Sequence, residues 1–198
     1  MDPKPKDTKA AILRAAAKLL RRKGYAATGL NDLIHEADAP RGSVYHHFPG
    51  GKEAIAEAAL TQSGKTAKRA IETALGREAD PAAALEAYAE ELAQALEASG
   101  FRDGCPIATV MLETAADNAA LRAAGAGAFA SWRDSFRDAL MKRGVSRIEA
   151  NRLAVTALAA LEGGLVLARA GQDGAPLRAA AAEIAKLFRS QIAAAKQG

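Results

Sequence analysis

Followed by its apolar positions alone, the chain is a succession of helical stripes. Ile12, Ala16, Leu19 and Leu20 recur at three- and four-residue spacing between Asp7, which can cap a helix, and Gly24, which can end one. A short stripe follows over 30–37, with Leu30, Leu33, Ile34 and Ala37 on one face. Asp38, Ala39 and Pro40 make a turn, a second short helix spans 41–47, and Pro49, Gly50 and Gly51 break the chain again. A long helix is predicted over 52–75, with Gly64 as a candidate interruption. Asp80 followed by Pro81 opens the next, which carries Leu85, Tyr88, Leu92 and Leu96.

The pattern continues to the end of the chain. The segment 105–116 is short and apolar, and 118–143 carries Phe129, Trp132, Phe136 and Leu140 at three-four spacing. Ser146 and Glu149 form a capping box for a helix reaching about Ala170. Pro176 starts the last helix, striped by Leu177, Ile184, Leu187, Phe188 and Ile192. No segment alternates with period two for long enough to make a strand. The expectation is an all-α fold of about nine helices. It divides into a three-helix helix-turn-helix domain over 1–51 and a helical bundle domain over 52–198.

Composition agrees. Alanine is about a quarter of the chain, which suits close-packed helices. The formal net charge is +4. Its distribution says more: residues 1–52 hold ten Lys and Arg against five acids, whereas 53–198 hold seventeen against eighteen. All the excess positive charge therefore sits in the first quarter, as in a nucleic-acid-binding module on a neutral body. The N-terminus has no apolar stretch of the signal-peptide kind. The most apolar segment, 153–168, is interrupted by Glu162, Gly163 and Gly164 and falls short of a bilayer span. The single cysteine, Cys105, cannot form an intramolecular disulfide. A soluble, cytoplasmic protein is expected, with no membrane partner.

The stretch 24–52 concentrates the chemistry. Its two short helices are unstable alone and make sense packed on the first helix. Val44 and Phe48, four apart, would face that core. Arg41, Gly42, Ser43, Tyr45, His46 and His47 would then point outward. One cation, one hydroxyl, one position without a side chain and three polar rings suit phosphates and base edges in a major groove. Lys52 opens a helix, where amides and the dipole favour an anion.

These residues carry a resemblance. Gly24 and Tyr25, then Thr28, Leu30, Leu33 and Ala37, the run from Arg41 to Pro49, and Lys52 with Glu53 resemble the TetR-family DNA-binding signature. Ala39-Pro40, Pro49-Gly50-Gly51-Lys52-Glu53, Gly104-Cys105-Pro106 and Leu161-Glu162-Gly163 are similar to the LmrA/YxaF-like branch. The resemblance implies that Arg41 and Ser43 address bases of double-stranded DNA at an inverted-repeat operator. It implies that Tyr45, His46, His47 and Lys52 hold phosphates, and that Thr28 caps the second helix against the DNA backbone. The chain departs from the common pattern at Gly29, Ile34, Asp38 and Pro40. Asp38 tolerates the left-handed conformation of the turn, and Gly29 removes a hydroxyl that could reach a phosphate.

In the body, 153–168 is apolar nearly all round and needs partners on more than one side. A homodimer interface is expected from the last two helices, through Leu153, Ala157, Leu158, Leu161, Gly164, Leu165, Ile184 and Phe188. The resemblance implies the same four-helix arrangement. Tyr88, Leu92, Leu96, Met111, Leu112, Phe129, Trp132 and Phe136 are the large side chains of an alanine-rich body. They are candidate walls of a pocket for a small apolar or aromatic effector; core packing is the other reading of the three aromatics at helical spacing. Glu113 and Glu162 stand beside apolar runs, as polar groups of a pocket, as simply solvent-facing residues, or paired across an interface.

Other chemistries find little support. His46 and His47 point about 100° apart on a helix and no third ligand has zinc spacing, so no metal is expected. Every histidine lies in the first quarter, far in sequence from Cys105, which is expected to be a buried structural residue. No catalytic set and no cofactor motif is present. The expected function is a ligand-responsive transcriptional regulator, most simply a repressor; a DNA-binding regulator without an effector is the alternative.

Overall fold

The computed structural model describes residues 7–197; the segment 1–6, on which the signal-peptide expectation falls, lies outside them. The described residues form nine helices and no strand: α1 (Thr8–Lys23), α2 (Leu30–Ala37), α3 (Arg41–His47), α4 (Gly51–Arg77), α5 (Pro81–Ala98), α6 (Pro106–Thr114), α7 (Ala119–Met141), α8 (Arg147–Gly171) and α9 (Ala175–Ala195). The boundaries follow local chemistry. Asp7 accepts from the Ala10 amide at 3.0 Å and caps α1. Asp80 accepts from Ala82 at 3.0 Å ahead of Pro81. Ser146 accepts from Glu149 at the start of α8. Asp38 takes the left-handed conformation, φ 47°, after α2. Gly64 does not interrupt α4, which runs unbroken for 27 residues.

The packing divides the chain differently from a cut after residue 51. Among the described residues, one compact unit comprises those up to Gly64 and Cys105–Gly127; the other comprises Lys65–Gly104 and those from Ala128 onward. The boundary moves because α6 packs on α1, which makes α6 part of the helix-turn-helix unit. In that unit α1 packs on α2 and α3. Ile12, Leu20, Leu33 and Val44 are sealed from solvent, with Phe48 5% exposed. Full burial of side chains of this size contributes roughly 1.5–3 kcal/mol each.

In the second unit α8 and α9 pack most extensively on each other, and α9 packs on α5. Most of the residues expected at a dimer interface are covered within the single chain. Leu153, Ala157, Leu161, Gly164, Ile184 and Phe188 are buried within the single chain, and Leu158 and Leu165 are half-buried. A Cβ on Gly164 would lie 3.0 Å from Leu177 Cα, so the glycine serves the α8–α9 contact. The opposite face of α8 is the exposed one: Ile148, Val155, Val166 and Leu167 are 78%, 49%, 59% and 63% exposed. Ile148, Val155, Ala159 and Val166 fall on one line of the helix, because steps of seven and four residues return to the same side. Contrary to the expectation from 153–168, the whole of α8 is long and apolar enough to cross a membrane, but one of its faces is occupied by α9.

Candidate nucleic-acid interface

Turning inward, Val44 and Phe48 orient α3. Val44 is fully buried, which leaves Arg41, Gly42, Tyr45 and His46 exposed and Ser43 and His47 half-buried. Tyr45 is 46% exposed, a large ring on the surface. The rings of His46 and His47 meet edge to face with centroids 5.2 Å apart. Arg41 Nη2 donates to Asn31 Oδ1 at 2.6 Å, which ties the first residue of α3 to α2. Asn31 was not singled out by sequence. Its position beside Arg41 depends on the angle between two short helices, which no spacing rule reports.

Lys52 stands at the start of α4, with its ammonium 4.1 Å from the centroid of the Tyr25 ring. A cation over a ring face is attracted by the ring quadrupole, and the contact holds the side chain in place. Burial, and the Glu53 carboxylate behind it, push the Tyr25 phenol above its ordinary pKa.

Thr28 is corrected. It is 1% exposed, and its hydroxyl donates to the Gly24 carbonyl at 2.6 Å. It closes the α1–α2 turn and neither caps α2 nor reaches the surface. The cap is formed without a side chain at Gly29, whose amide donates to Asp32 Oδ2 at 3.0 Å. Lys23 Nζ also bonds that oxygen, at 2.9 Å. The Lys23 bond, with the Gly29 amide, holds the Asp32 carboxyl below its usual range.

The candidate effector residues divide between the units. Tyr88, Leu96, Trp132 and Phe136 are buried in the second unit, with Leu92 and Phe129 half-buried there. Phe129 and Trp132 meet edge to face, centroids 5.4 Å apart. Met111 and Leu112 lie on α6 in the first unit. Leu112 is 86% exposed and so walls no enclosed cavity. A cavity of about 840 Å³ in the second unit is polar, lined among others by Lys68, Glu72, Arg77, Asp134 and Lys142. None of the eight expected residues lines it. Cys105 is half-buried, not sealed, and its Sγ accepts from the Ala108 amide as the cap of α6.

Comparison with known proteins gives the same reading. Residues 12–59 match the family model for bacterial regulatory proteins of the tetR family, and 81–183 match the C-terminal domain of LmrA/YxaF-like transcriptional regulators. The chain is 34% identical over 185 residues to the uncharacterized HTH-type transcriptional regulator YxaF of Bacillus subtilis, covering 93% of this chain and 97% of that protein. It is 32% identical to the HTH-type transcriptional regulator LmrA of the same organism, covering 86% and 91%. In fold it resembles a TetR regulatory protein of Rhodobacter sphaeroides, TM-score 0.81 at 22% identity, covering 90% and 97%. It likewise resembles the TetR-family regulator CifR solved with a 26-bp operator duplex, TM-score 0.76 at 21% identity, covering 93% and 98%. The chain therefore belongs to the TetR family, with an LmrA/YxaF-like C-terminal domain, and is a DNA-binding transcriptional regulator and not an enzyme.

Proposed function

We propose that the protein is a repressor that binds an inverted-repeat operator as a homodimer in the cytoplasm and is released by a small apolar or aromatic effector. The observation that carries this reading is the two-sidedness of α3: Val44 is sealed, while Arg41, Tyr45 and His46 are exposed. Arg41 reads a base edge; Ser43 lies beside it in the groove; Tyr45, His46, His47 and Lys52 hold phosphates. The neighbour CifR was solved on operator DNA, which supports this mode of use for the shared fold.

Two copies are needed to address two half-sites. The exposed line Ile148, Val155, Ala159 and Val166 on α8, with Leu187 48% exposed on α9, is the surface proposed for the second copy. An exposed apolar line of this length, on a helix already packed on its other side, suits contact with another protein surface. The effector is proposed to bind in the second unit beside Phe129 and Trp132, where the half-buried Phe129 ring meets the buried Trp132 edge to face; Leu92, also half-buried in that unit, is proposed as a further wall. It must bind the DNA-incompetent state more tightly, since equal affinity shifts nothing. Selection of bound duplexes from random DNA, followed by a screen for compounds that release them, tests the reading. Tight, sequence-selective binding relieved by an aromatic compound is the expected result. Binding that no compound class relieves would favour a regulator without an effector.

A further inference from the structure

The contact between α6 and the α1–α2 turn assigns a role to Glu113 that rests on the phosphate-binding reading of Lys52. Glu113 Oε2 accepts from the Ala26 amide at 2.6 Å, across 87 residues of sequence. Both residues lie in the first unit. The carboxylate also presses on Gly24: a Cβ there would fall 1.7 Å from Glu113 Oε1. Gly24 has φ +77°, so the turn needs glycine for its backbone and again for the space that the carboxylate fills.

The peptide joining Tyr25 to Ala26 is thereby held at both ends. Its N–H donates to Glu113, and its carbonyl accepts from the Thr28 amide at 3.1 Å. A planar peptide fixed at both polar atoms leaves little freedom to the residue that precedes it. That residue is Tyr25, whose ring lies under the Lys52 ammonium at 4.1 Å. A hydrogen bond to a charged carboxylate is stronger than a neutral one, and Glu113 is the acceptor that α6 supplies to this turn.

We propose that Glu113 is a positioning residue for DNA binding: by clamping the Tyr25–Ala26 peptide from α6, it seats the Tyr25 ring that holds Lys52 toward the phosphate backbone. The placement of α6 is thus read out at a DNA contact without α6 touching DNA.

The test uses the full chain and a duplex selected by it from random-sequence DNA, with affinity measured by fluorescence anisotropy over a salt series. Lys52→Ala should lower the slope of log affinity against log salt by ~0.9, the loss of one phosphate contact. Glu113→Ala should weaken binding about 2- to 10-fold, the range of a lost cation–ring contact, and lower the slope in the same direction. The double variant should bind no worse than Lys52→Ala alone, because both changes remove one contact. Glu113→Gln keeps an acceptor oxygen and should restore most of the affinity. Tyr25→Leu leaves the clamp in place but removes the seat; it should also lower the slope, which keeps the test open if Glu113→Ala folds poorly. A lowered slope in Lys52→Ala with an unchanged slope in Glu113→Ala and Tyr25→Leu overturns the proposal and leaves the Lys52 reading standing. An unchanged slope in Lys52→Ala itself overturns both.

Discussion

The guanidinium of Arg41 donates to the side-chain carbonyl of Asn31 at 2.6 Å, so the residue proposed to read a base is aimed by a residue on the preceding helix. A long cation held at one nitrogen loses less conformational freedom when its remaining donors meet a base edge. Arg41→Ala is predicted to cost ~1–3 kcal/mol, concentrated at one base position, if the contact is bidentate to guanine. Asn31→Ala should flatten preference at that same position while changing affinity for unrelated DNA little. Binding measured on a panel of duplexes substituted base by base checks both.

The oligomer prediction follows from the two faces of α8. Val155→Asp and Val166→Asp place charge on the exposed line and should give folded monomers with weakened operator binding. Leu161→Asp instead puts an unpaired charge at a site 4% exposed; it should destabilise the chain by ~3–5 kcal/mol irrespective of association. Sedimentation velocity at micromolar concentration, beside thermal melts, separates the outcomes.

How much of this was legible in sequence differs by feature. The helix boundaries were, because Asp7, Asp80-Pro81 and Ser146 act through local hydrogen bonds that spacing reports. The inward pair Val44 and Phe48 was legible because a step of four residues returns to the same helix face. The role of Thr28 was not: whether a hydroxyl faces DNA or folds back on the Gly24 carbonyl depends on the turn's backbone, not on composition. The faces of α8 were also illegible, since a helix apolar all round carries no phase to say which side its own chain covers. Glu113 could be flagged only as a carboxylate beside an apolar run. Its partner lies 87 residues away, beyond any local rule.

Acid stability is predicted from the α5–α9 contact. Arg178 bonds Glu90 at 2.6 Å and Glu97 at 2.9 Å, and Arg189 bonds Glu86 at 2.6 Å and Asp80 at 3.2 Å. The Arg178 bond, with a second from Gln94, holds the Glu90 carboxyl below the ordinary 4.5. A lowered carboxylate contributes stability that is fully present above its ordinary value and lost as pH falls through the lowered one. The melting temperature should therefore be nearly flat from neutrality to about pH 5 and fall below about pH 4. Arg178→Ala should lower the melting temperature at neutral pH, by less in high salt, and make the acid fall shallower. Calorimetry from about pH 3 to about pH 7 in both proteins reads the difference.

Trp132, the single tryptophan, reports on the effector proposal. It is 4% exposed and meets Phe129 edge to face, so an aromatic ligand entering beside Phe129 should change its emission saturably. The same concentrations should release DNA, with a coupling of ~1–3 kcal/mol. Trp132→Leu should weaken ligand binding while operator affinity stays nearly intact; loss of both together would make Trp132 a structural residue only.

The central claim is sequence-selective binding of DNA by a pair of α3 helices. The most direct measurement is affinity, at one moderate salt concentration, for the duplex selected from random DNA against a scrambled duplex of equal length. The account predicts an inverted repeat in the selected duplex, with affinity roughly 10³-fold or more above the scrambled one and falling steeply when one half-site is altered. Equal affinity for the two duplexes would contradict it.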